Sequence, residues 1–518
     1  VREPVRNPRS RFAVLRPLPL GRQERRPRFA HRENDFAEAL RIVRDQHVSG
    51  SSTNVDKMAS EALKGMLRAL DPHSTYYNPA EFAALLGEHN SEYSGTGSTI
   101  VNFRLGNSVE TYVVGVRPDS PASVAGLSFG DRIVAVDGLA VSGRSSLDVR
   151  NMVRGKHGST VTLKVERAAS GRVEDVVIKR DKVPQPSVPY AFLVDEKVGY
   201  IAMTGGFTYS TFVEFETALN NLKAAGAQSL ILDLRGNTGG IFDTAVEVAE
   251  KFLPAGTDIV TQRGRYPYLD RKWRSANRSP ETMPLVLLVD GNTASASEIL
   301  AAALQDNDRA IIVGQKTFGK GLVQNVLDLP DGSGLTLTAA RYYTPAGRSI
   351  QRDYSDSGLY EYFTQTNRSE LIDKAEYAAR TATDRKVYGG DGIAPDRETV
   401  PRDVSGADDR VIDEAFHFAV AKLRSSSFRE TVRQNVIFSR PVVDDELLTE
   451  FLAKLPADRT LADRAAQDQL AYFLALGAFG DEAAAAQQII ADPVVTAAIE
   501  EFPRARTLAS AAQAARKH

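Results

Sequence analysis

A serine at the start of a helix and a lysine between two glycines are the residues of this 518-residue chain best suited to covalent chemistry. Segment 291–300 reads Gly-Asn-Thr-Ala-Ser-Ala-Ser-Glu-Ile-Leu, so an apolar strand ending at Val289 turns into a helix near Ser295. A helix N-terminus carries unpaired N–H groups and a partial positive charge. An oxyanion forming beside Ser295 would be stabilised there, with the Ala296 N–H as one donor. The same residues, Ser295 to Glu298, also read as a capping box, in which the serine only accepts a backbone N–H. A serine nucleophile needs a base. Lys320 stands between Gly319 and Gly321, beside Phe318, Leu322 and Val323. Buried there, its charged form is disfavoured and the neutral amine can serve as a general base. Surface solvation is the ordinary fate of a lysine and the competing reading.

Three further segments invite attention. Segment 232–240, Leu-Asp-Leu-Arg-Gly-Asn-Thr-Gly-Gly, carries a buried strand into a glycine-rich loop. No Gly-Lys-Ser/Thr follows, so a phosphate loop is excluded. A tight strand–helix turn or a second oxyanion donor, from Gly240 or Gly239, remains. Residues Ser94, Gly95, Thr96, Gly97 and Ser98 precede a β-branched run and can capture a terminal carboxylate on backbone N–H groups; a plain glycine turn is the alternative. Asp71-Pro-His-Ser74 reads as a helix-terminating motif rather than a His-Ser pair.

Composition removes several classes of chemistry. The absence of cysteine excludes disulfides, thiolate metal sites and a cysteine nucleophile. None of the seven histidines falls between residues 158 and 416, which argues against a histidine-rich zinc site and leaves a Ser-His-Asp triad dependent on a distant histidine. No metal or cofactor is expected. The formal net charge of −2 gives no bulk attraction to nucleic acid. No apolar run reaches the roughly 20 residues that span a bilayer, so no integral membrane segment is expected. Residues 1–32 hold ten arginines and two glutamates without an apolar stretch, so 1–33 is read as an Arg-rich, disordered tail and not a secretory signal as it stands.

The elements that must position these residues follow from periodicity. Residues 34–88 read as helical, ended by Asp71-Pro72 and restarted at Asn78-Pro79. Residues 89–182 alternate short β-branched runs with glycine turns, and helices fit 121–125 and 146–153. Within 183–400, strands at 198–203, 229–234, 285–289, 310–313 and 335–342 alternate with helices at 211–225, 242–252 and 295–305, an α/β layer pattern. Strands 230–234 and 285–289 are mostly apolar, as in a sheet covered on both faces. Residues 401–518 read as a helical appendage, with helices at 408–424, 444–455, 461–476 and 481–502.

Taken together and in order, these segments resemble the carboxyl-terminal processing (tail-specific) serine proteases with a PDZ domain. The matching pieces are 70–76 (Leu-Asp-Pro-His-Ser-Thr-Tyr), 130–138 (Gly-Asp-Arg-Ile-Val-Ala-Val-Asp-Gly), 233–240, 293–298, 317–324 (Thr-Phe-Gly-Lys-Gly-Leu-Val-Gln), 343–350 and 392–396. The resemblance implies an α/β protease core of the crotonase/ClpP-like kind, an inserted β-rich PDZ domain, and helical N- and C-terminal regions. It implies Ser295 as nucleophile, Lys320 as base, Gln324 as the residue orienting the lysine, and Gly240 and Ala296 N–H groups as the oxyanion hole. It further implies protein or peptide substrates whose free C-termini the PDZ domain reads, and a periplasmic or otherwise extracytoplasmic site of action. A homo-oligomer or an adaptor protein as further partner is left open. A catalytically silent PDZ-type adaptor is the competing function.

Overall fold

The computed structural model describes residues 27–49, 54–89, 92–355, 359–364, 378–400, 409–437, 441–459 and 461–516. Most of the Arg-rich segment, 1–26, lies outside the described residues, and its last residues open the helix Pro27–Gln46. The chain divides into two compact units. One joins the chain up to Ala83 with Val323–Ala339, and the other comprises Ala84–Leu322 and Ala340–His518.

In the first unit, the helix Val55–Arg68 is capped by Asn54, whose side chain accepts the Lys57 N–H at 2.9 Å. The Asp71-Pro motif stops helical structure before the short strand Thr75–Tyr77, which pairs antiparallel with residues 334–336. Phe82, from the helix beginning at Pro79, packs over Gly334. A Cβ there would lie 2.3 Å from the Phe82 ring, so only glycine fits.

The second unit contains two larger sheets. The first is antiparallel, in the order Ser98–Leu105, Ser108–Val116, Arg132–Val136, Thr160–Glu166, Val173–Lys179. The helix Ser146–Val153, capped by Ser145, covers it and buries Val149 and Val153 against Ile133, Leu163 and Val165. This sheet lies within the stretch 89–182 that the sequence reads as β-rich. Both of its expected helices form, the shorter as Pro121–Val124.

The second sheet runs Tyr190–Asp195, Val198–Ala202, Ser229–Asp233, Leu285–Val289, Ile311–Gly314, Arg397–Glu398. Its first pair is antiparallel and the rest are parallel. The four inner strands are entirely buried. Helices Thr211–Ala224 and Ala296–Asp306 pack beside this sheet, and Phe242–Phe252 packs against both of them. Tyr200, Ile231, Val286, Leu288 and Val313 point the other way, onto Val494, Val495, Ala498 and Phe502. The expected double coverage therefore exists, but its second layer comes from the far C-terminus. Those last helices are part of the sheet's core and not an appendage to it.

The C-terminal helices are Asp409–Lys422, Ser426–Ile437, Asp445–Leu452, Asp463–Ala478, Asp481–Ile490, Pro493–Glu500 and Phe502–Ala515. The expected helix over 481–502 is broken because Pro493 has no N–H to donate and starts a new helix, capped by Asp492. The earlier helices of this set pack on the antiparallel sheet. Phe416, fully buried, stacks on Phe103 at 3.9 Å between ring centroids and meets Tyr112 edge-on at 5.0 Å.

Candidate active site

Three loops leave the C-terminal ends of three adjacent parallel strands, Ser229–Asp233, Leu285–Val289 and Ile311–Gly314. In open α/β sheets that edge is where chemistry assembles. The first loop carries the glycines, the second Ser295, the third Lys320.

The strands' own residues set the roots of these loops. Asp233 is buried and accepts the Tyr200 hydroxyl at 2.6 Å and the Arg235 Nε at 2.9 Å. Arg235 also reaches Asp492 at 2.5 Å, and two carboxylates hold its guanidinium firmly protonated despite burial. Asp290 Oδ1 accepts the N–H groups of Gly236, Asn292 and Thr293 at 2.9–3.0 Å, tying the first loop to the second.

Asn237 continues that tie. Its side chain is buried, donates to the Met203 carbonyl and accepts the Gly239 N–H at 2.9 Å. Its carbonyl accepts both the Ala294 N–H and the Ser297 hydroxyl at 3.0 Å. Because Gly239 has already given its N–H to Asn237, Gly240 is the donor left over. Among the described residues, neither the Gly240 nor the Ala296 N–H has an acceptor. Gly239 adopts φ +97°, and a Cβ on it would fall 2.8 Å from the Ser295 Cβ and 2.9 Å from the Ala296 nitrogen. The glycine loop thus lies directly against the serine turn.

Ser295 is half-buried and adopts φ +58°, ψ −117°, a conformation rare for any side-chain-bearing residue and worth roughly 1–3 kcal/mol of strain. It stands one residue before the helix Ala296–Asp306. Glu298 braces it by accepting the Ser295 N–H at 2.8 Å, one half of the capping-box pattern read from the sequence.

The same carboxylate does more than cap. Glu298 is wholly buried and also accepts the Thr317 hydroxyl at 2.6 Å, the Gly319 N–H at 2.7 Å and the Lys320 N–H at 2.8 Å. Burial pushes its carboxyl above the ordinary glutamate range, against the pull of these four donors. Thr317 in turn accepts the Ile393 N–H at 2.7 Å, and Phe318 donates to the Thr293 carbonyl at 2.9 Å. Gly319 (φ +93°) and Gly321 press against residues 350–352, where a Cβ on either would meet Arg352 or Gln351 atoms at 2.9 Å. Lys320 itself is half-buried, less enclosed than the surrounding apolar residues suggest.

Gln324 belongs to the first unit. Its Nε2 donates to the Thr338 hydroxyl at 2.5 Å, and its buried Oε1 has no hydrogen-bond partner among the described residues. Thr338 donates its N–H to the Ser74 hydroxyl at 3.1 Å, and Ser74 donates to Asp71 at 2.6 Å. The Asp71-Pro-His-Ser74 motif therefore anchors Thr338, whose hydroxyl accepts from Gln324, a role beyond ending a helix. Burial opposes ionisation of Asp71, but the Ser74 hydroxyl and the His73 and Ser74 N–H groups hold its carboxyl below the ordinary range.

In the antiparallel domain, Ser94 and Gly95 lie in the strand Glu92–Gly95, which pairs with Asp181–Pro184. Thr96 is buried and its carbonyl accepts the Ala122 N–H at 2.8 Å, while the Gly97 carbonyl accepts the Arg117 N–H at 3.0 Å. The Thr96 and Ser98 hydroxyls are 2.9 Å apart. The N–H groups of Thr96 and Gly97 have no acceptor among the described residues.

Residues 197–357 match peptidase family S41, and residues 112–167 match the PDZ domain family. A carboxy-terminal-processing protease of Bartonella bacilliformis is 34% identical over 321 residues, which cover 61% of this chain and 72% of that protein. The chain belongs to the carboxyl-terminal processing proteases of peptidase family S41. Two further members of this family are similar to it. Carboxyl-terminal-processing peptidase 1 of Arabidopsis thaliana, a chloroplastic protein, is 38% identical over 55% of this chain and 59% of its own length. A carboxyl-terminal-processing protease of Picosynechococcus is 37% identical over 57% of this chain and 70% of its own length. Among solved structures, a photosystem II D1 C-terminal processing protease aligns with 73% of this chain and 95% of its own at 29% identity, with a TM-score of 0.36. The S41 match contains the glycine loop, Ser295, Glu298, Lys320 and Gln324.

Two side chains that support these loops have little local signal in the sequence. Asn237 stands in the glycine loop, where its polar side chain is the only hint. Asp492 supports Arg235 from 257 positions away, where nothing local points to it.

Proposed function

We propose that this S41 chain is a serine endopeptidase that cuts proteins near their C-termini with Ser295 as nucleophile and Lys320 as general base. The observation that carries the reading is the shared carboxylate oxygen of Glu298. With the Ser295 and Lys320 N–H groups each 2.8 Å from it, their nitrogens are within twice that distance of one another.

In this reading the neutral Lys320 amine removes the Ser295 hydroxyl proton as Oγ attacks the scissile carbonyl. The oxyanion forms against the unclaimed N–H groups of Gly240 and Ala296. The Lys320 ammonium then gives its proton to the departing amine, leaving an acyl-serine. Water attacks this ester, losing a proton to Lys320; the acyl C–Oγ bond then breaks, the Lys320 ammonium returns that proton to Ser295 Oγ, and the new C-terminal acid leaves. Gln324 takes the lysine-orienting role that the family resemblance implies, and its amide is anchored on Thr338. The PDZ domain takes the substrate's carboxylate on the loop Ser94–Ser98, where the Thr96 and Gly97 N–H groups stand without acceptors. The crotonase/ClpP-like kinship of the core, the domain limits at residues 33, 88, 182 and 400, and an extracytoplasmic site of action belong to the same proposal. No described helix is long and apolar enough to cross a membrane.

The test is cleavage of an unstructured protein with a free apolar C-terminus. Ser295→Ala and Lys320→Ala should each abolish turnover while leaving the thermal melt unchanged. The wild-type rate should rise with pH as Lys320 deprotonates. Full turnover by either variant removes the dyad from consideration. Binding of tail peptides without turnover by the wild type favours the silent adaptor.

A further inference from the structure

The strand Ser98–Leu105 is the edge of the PDZ sheet, and the tail-binding reading above makes it the strand to which a substrate tail adds. Its pairing with Ser108–Val116 closes with Leu105 opposite Ser108 across a two-residue turn. By the period of two, Val101, Phe103 and Leu105 direct their backbone groups inward. Ile100, Asn102 and Arg104 direct theirs to the free edge.

That edge is not open along its whole length. The Arg104 N–H donates to Asp413 Oδ1 at 3.0 Å, and His417 Nε2 donates to the Arg104 carbonyl at 2.7 Å. Asp413 and His417 stand four residues apart on one face of the helix Asp409–Lys422, so a single helix satisfies both backbone groups of one strand residue. The contact is anchored by the intervening Phe416, which stacks on Phe103 at 3.9 Å and also meets Phe129 and Phe473. At the same end, the Asn102 side chain donates to the Arg144 carbonyl at 2.7 Å, just before the helix Ser146–Val153 that flanks the strand.

We infer that the helix Asp409–Lys422 limits how much of a substrate tail the PDZ domain reads. Only about the last four residues can pair with the strand between Ser98 and Asn102, because Arg104 is already taken. The ligand is an extended peptide with a free carboxylate. Residues upstream of that short tail leave the sheet edge and contribute nothing to recognition there. The inference rests on the tail reading of the loop Ser94–Ser98.

The experiment uses the full chain carrying Ser295→Ala, so that bound peptides stay intact. Labelled peptides sharing one apolar C-terminal sequence are lengthened at their N-termini from three to eight residues. Affinity should rise to about four residues and then stay flat. In the Asp413→Ala/His417→Ala background, the eight-residue peptide should gain roughly five- to thirtyfold over the four-residue one, the worth of two released backbone hydrogen bonds. A steady gain to eight residues in the parent overturns the length limit alone. Failure of every peptide to bind overturns the tail reading, and the limit with it. Amide exchange gives an independent check without peptide. The Arg104 N–H should exchange slowly in the parent and faster in Asp413→Ala, and equal fast exchange in both overturns the helix cap. His417→Gln, which keeps a donor for the Arg104 carbonyl, should preserve the plateau, and a lost plateau counts against the contact.

Discussion

The backbone N–H groups of Ser295 and Lys320 end on one and the same oxygen, Oε2 of Glu298, each at 2.8 Å. The serine turn and the lysine turn are therefore fixed to each other through one buried side chain. That carboxylate sees only donors. An amide in its place would turn its own N–H₂ toward N–H groups. Glu298→Gln should lower kcat/KM by about 100-fold or more, because both turns lose their register. It should also lower stability by roughly 2–3 kcal/mol through donors left buried without acceptors. Steady-state kinetics and urea unfolding of the same preparation measure the two effects.

Gly239 and Gly236 separate backbone strain from site geometry. Both have positive φ, but a Cβ on Gly236 meets nothing within 4 Å, whereas one on Gly239 collides with the serine turn. Gly236→Ala should cost about 1 kcal/mol and keep most activity. Gly239→Ala should lose at least about tenfold in kcat, since Ser295 and the Ala296 nitrogen, the proposed nucleophile and oxyanion donor, must move away from the loop to admit the methyl. Equal activities for the two variants would contradict the close packing of this loop.

Asp71 supplies a pH dependence of known sign. Its carboxyl is held below the ordinary aspartate value of 3.8, so it binds its proton less readily folded than unfolded. The stability it contributes is fully present above that value and is lost as pH falls through the lower folded one. Asp71→Ala should lower the urea midpoint at neutral pH, by roughly 1–2 kcal/mol in stability. The gap to wild type should close as the solution is acidified below the aspartate range. A gap that stays constant with pH would mean that the ionised carboxylate is not what holds Ser74.

Asp492 connects the C-terminal helices to the root of the glycine loop. It caps the helix Pro493–Glu500 through the Val494 N–H at 2.8 Å and pairs with Arg235. Asp492→Asn keeps a cap but removes the charge partner, whereas Asp492→Ala removes both. The alanine variant should lose roughly 1–2 kcal/mol of stability and the asparagine variant less. Both should show reduced kcat with KM little changed, because Arg235 then rests on Asp233 alone. A kcat equal to wild type in both would confine Asp492 to a structural role.

The residues proposed for the chemistry, and the local elements that carry them, stand out in the amino-acid sequence by itself. Ser295 at a strand–helix junction, Lys320 between glycines and the loop 236–240 are all signals within a few positions, where turn chemistry and capping operate. In the sequence, the capping pattern at Ser295 and Glu298 competes with catalysis. In the folded chain Glu298 both caps the serine turn and fastens the lysine turn, so the capping pattern is compatible with the proposed catalytic role. The apolar strands likewise announce a sheet covered on both faces, but not what covers it. That layer comes from helices near residue 500, and the edge of the PDZ strand is taken by a helix near residue 415. Such pairings depend on which strands become neighbours and which apolar faces are left to meet. Many distant segments compete for an apolar face, and burial free energy does not record the sequence distance between the surfaces it joins. Local hydrogen bonding is therefore written in the residues themselves, while the partners of Glu298, Arg235 and Arg104 are decided only when the chain closes on itself.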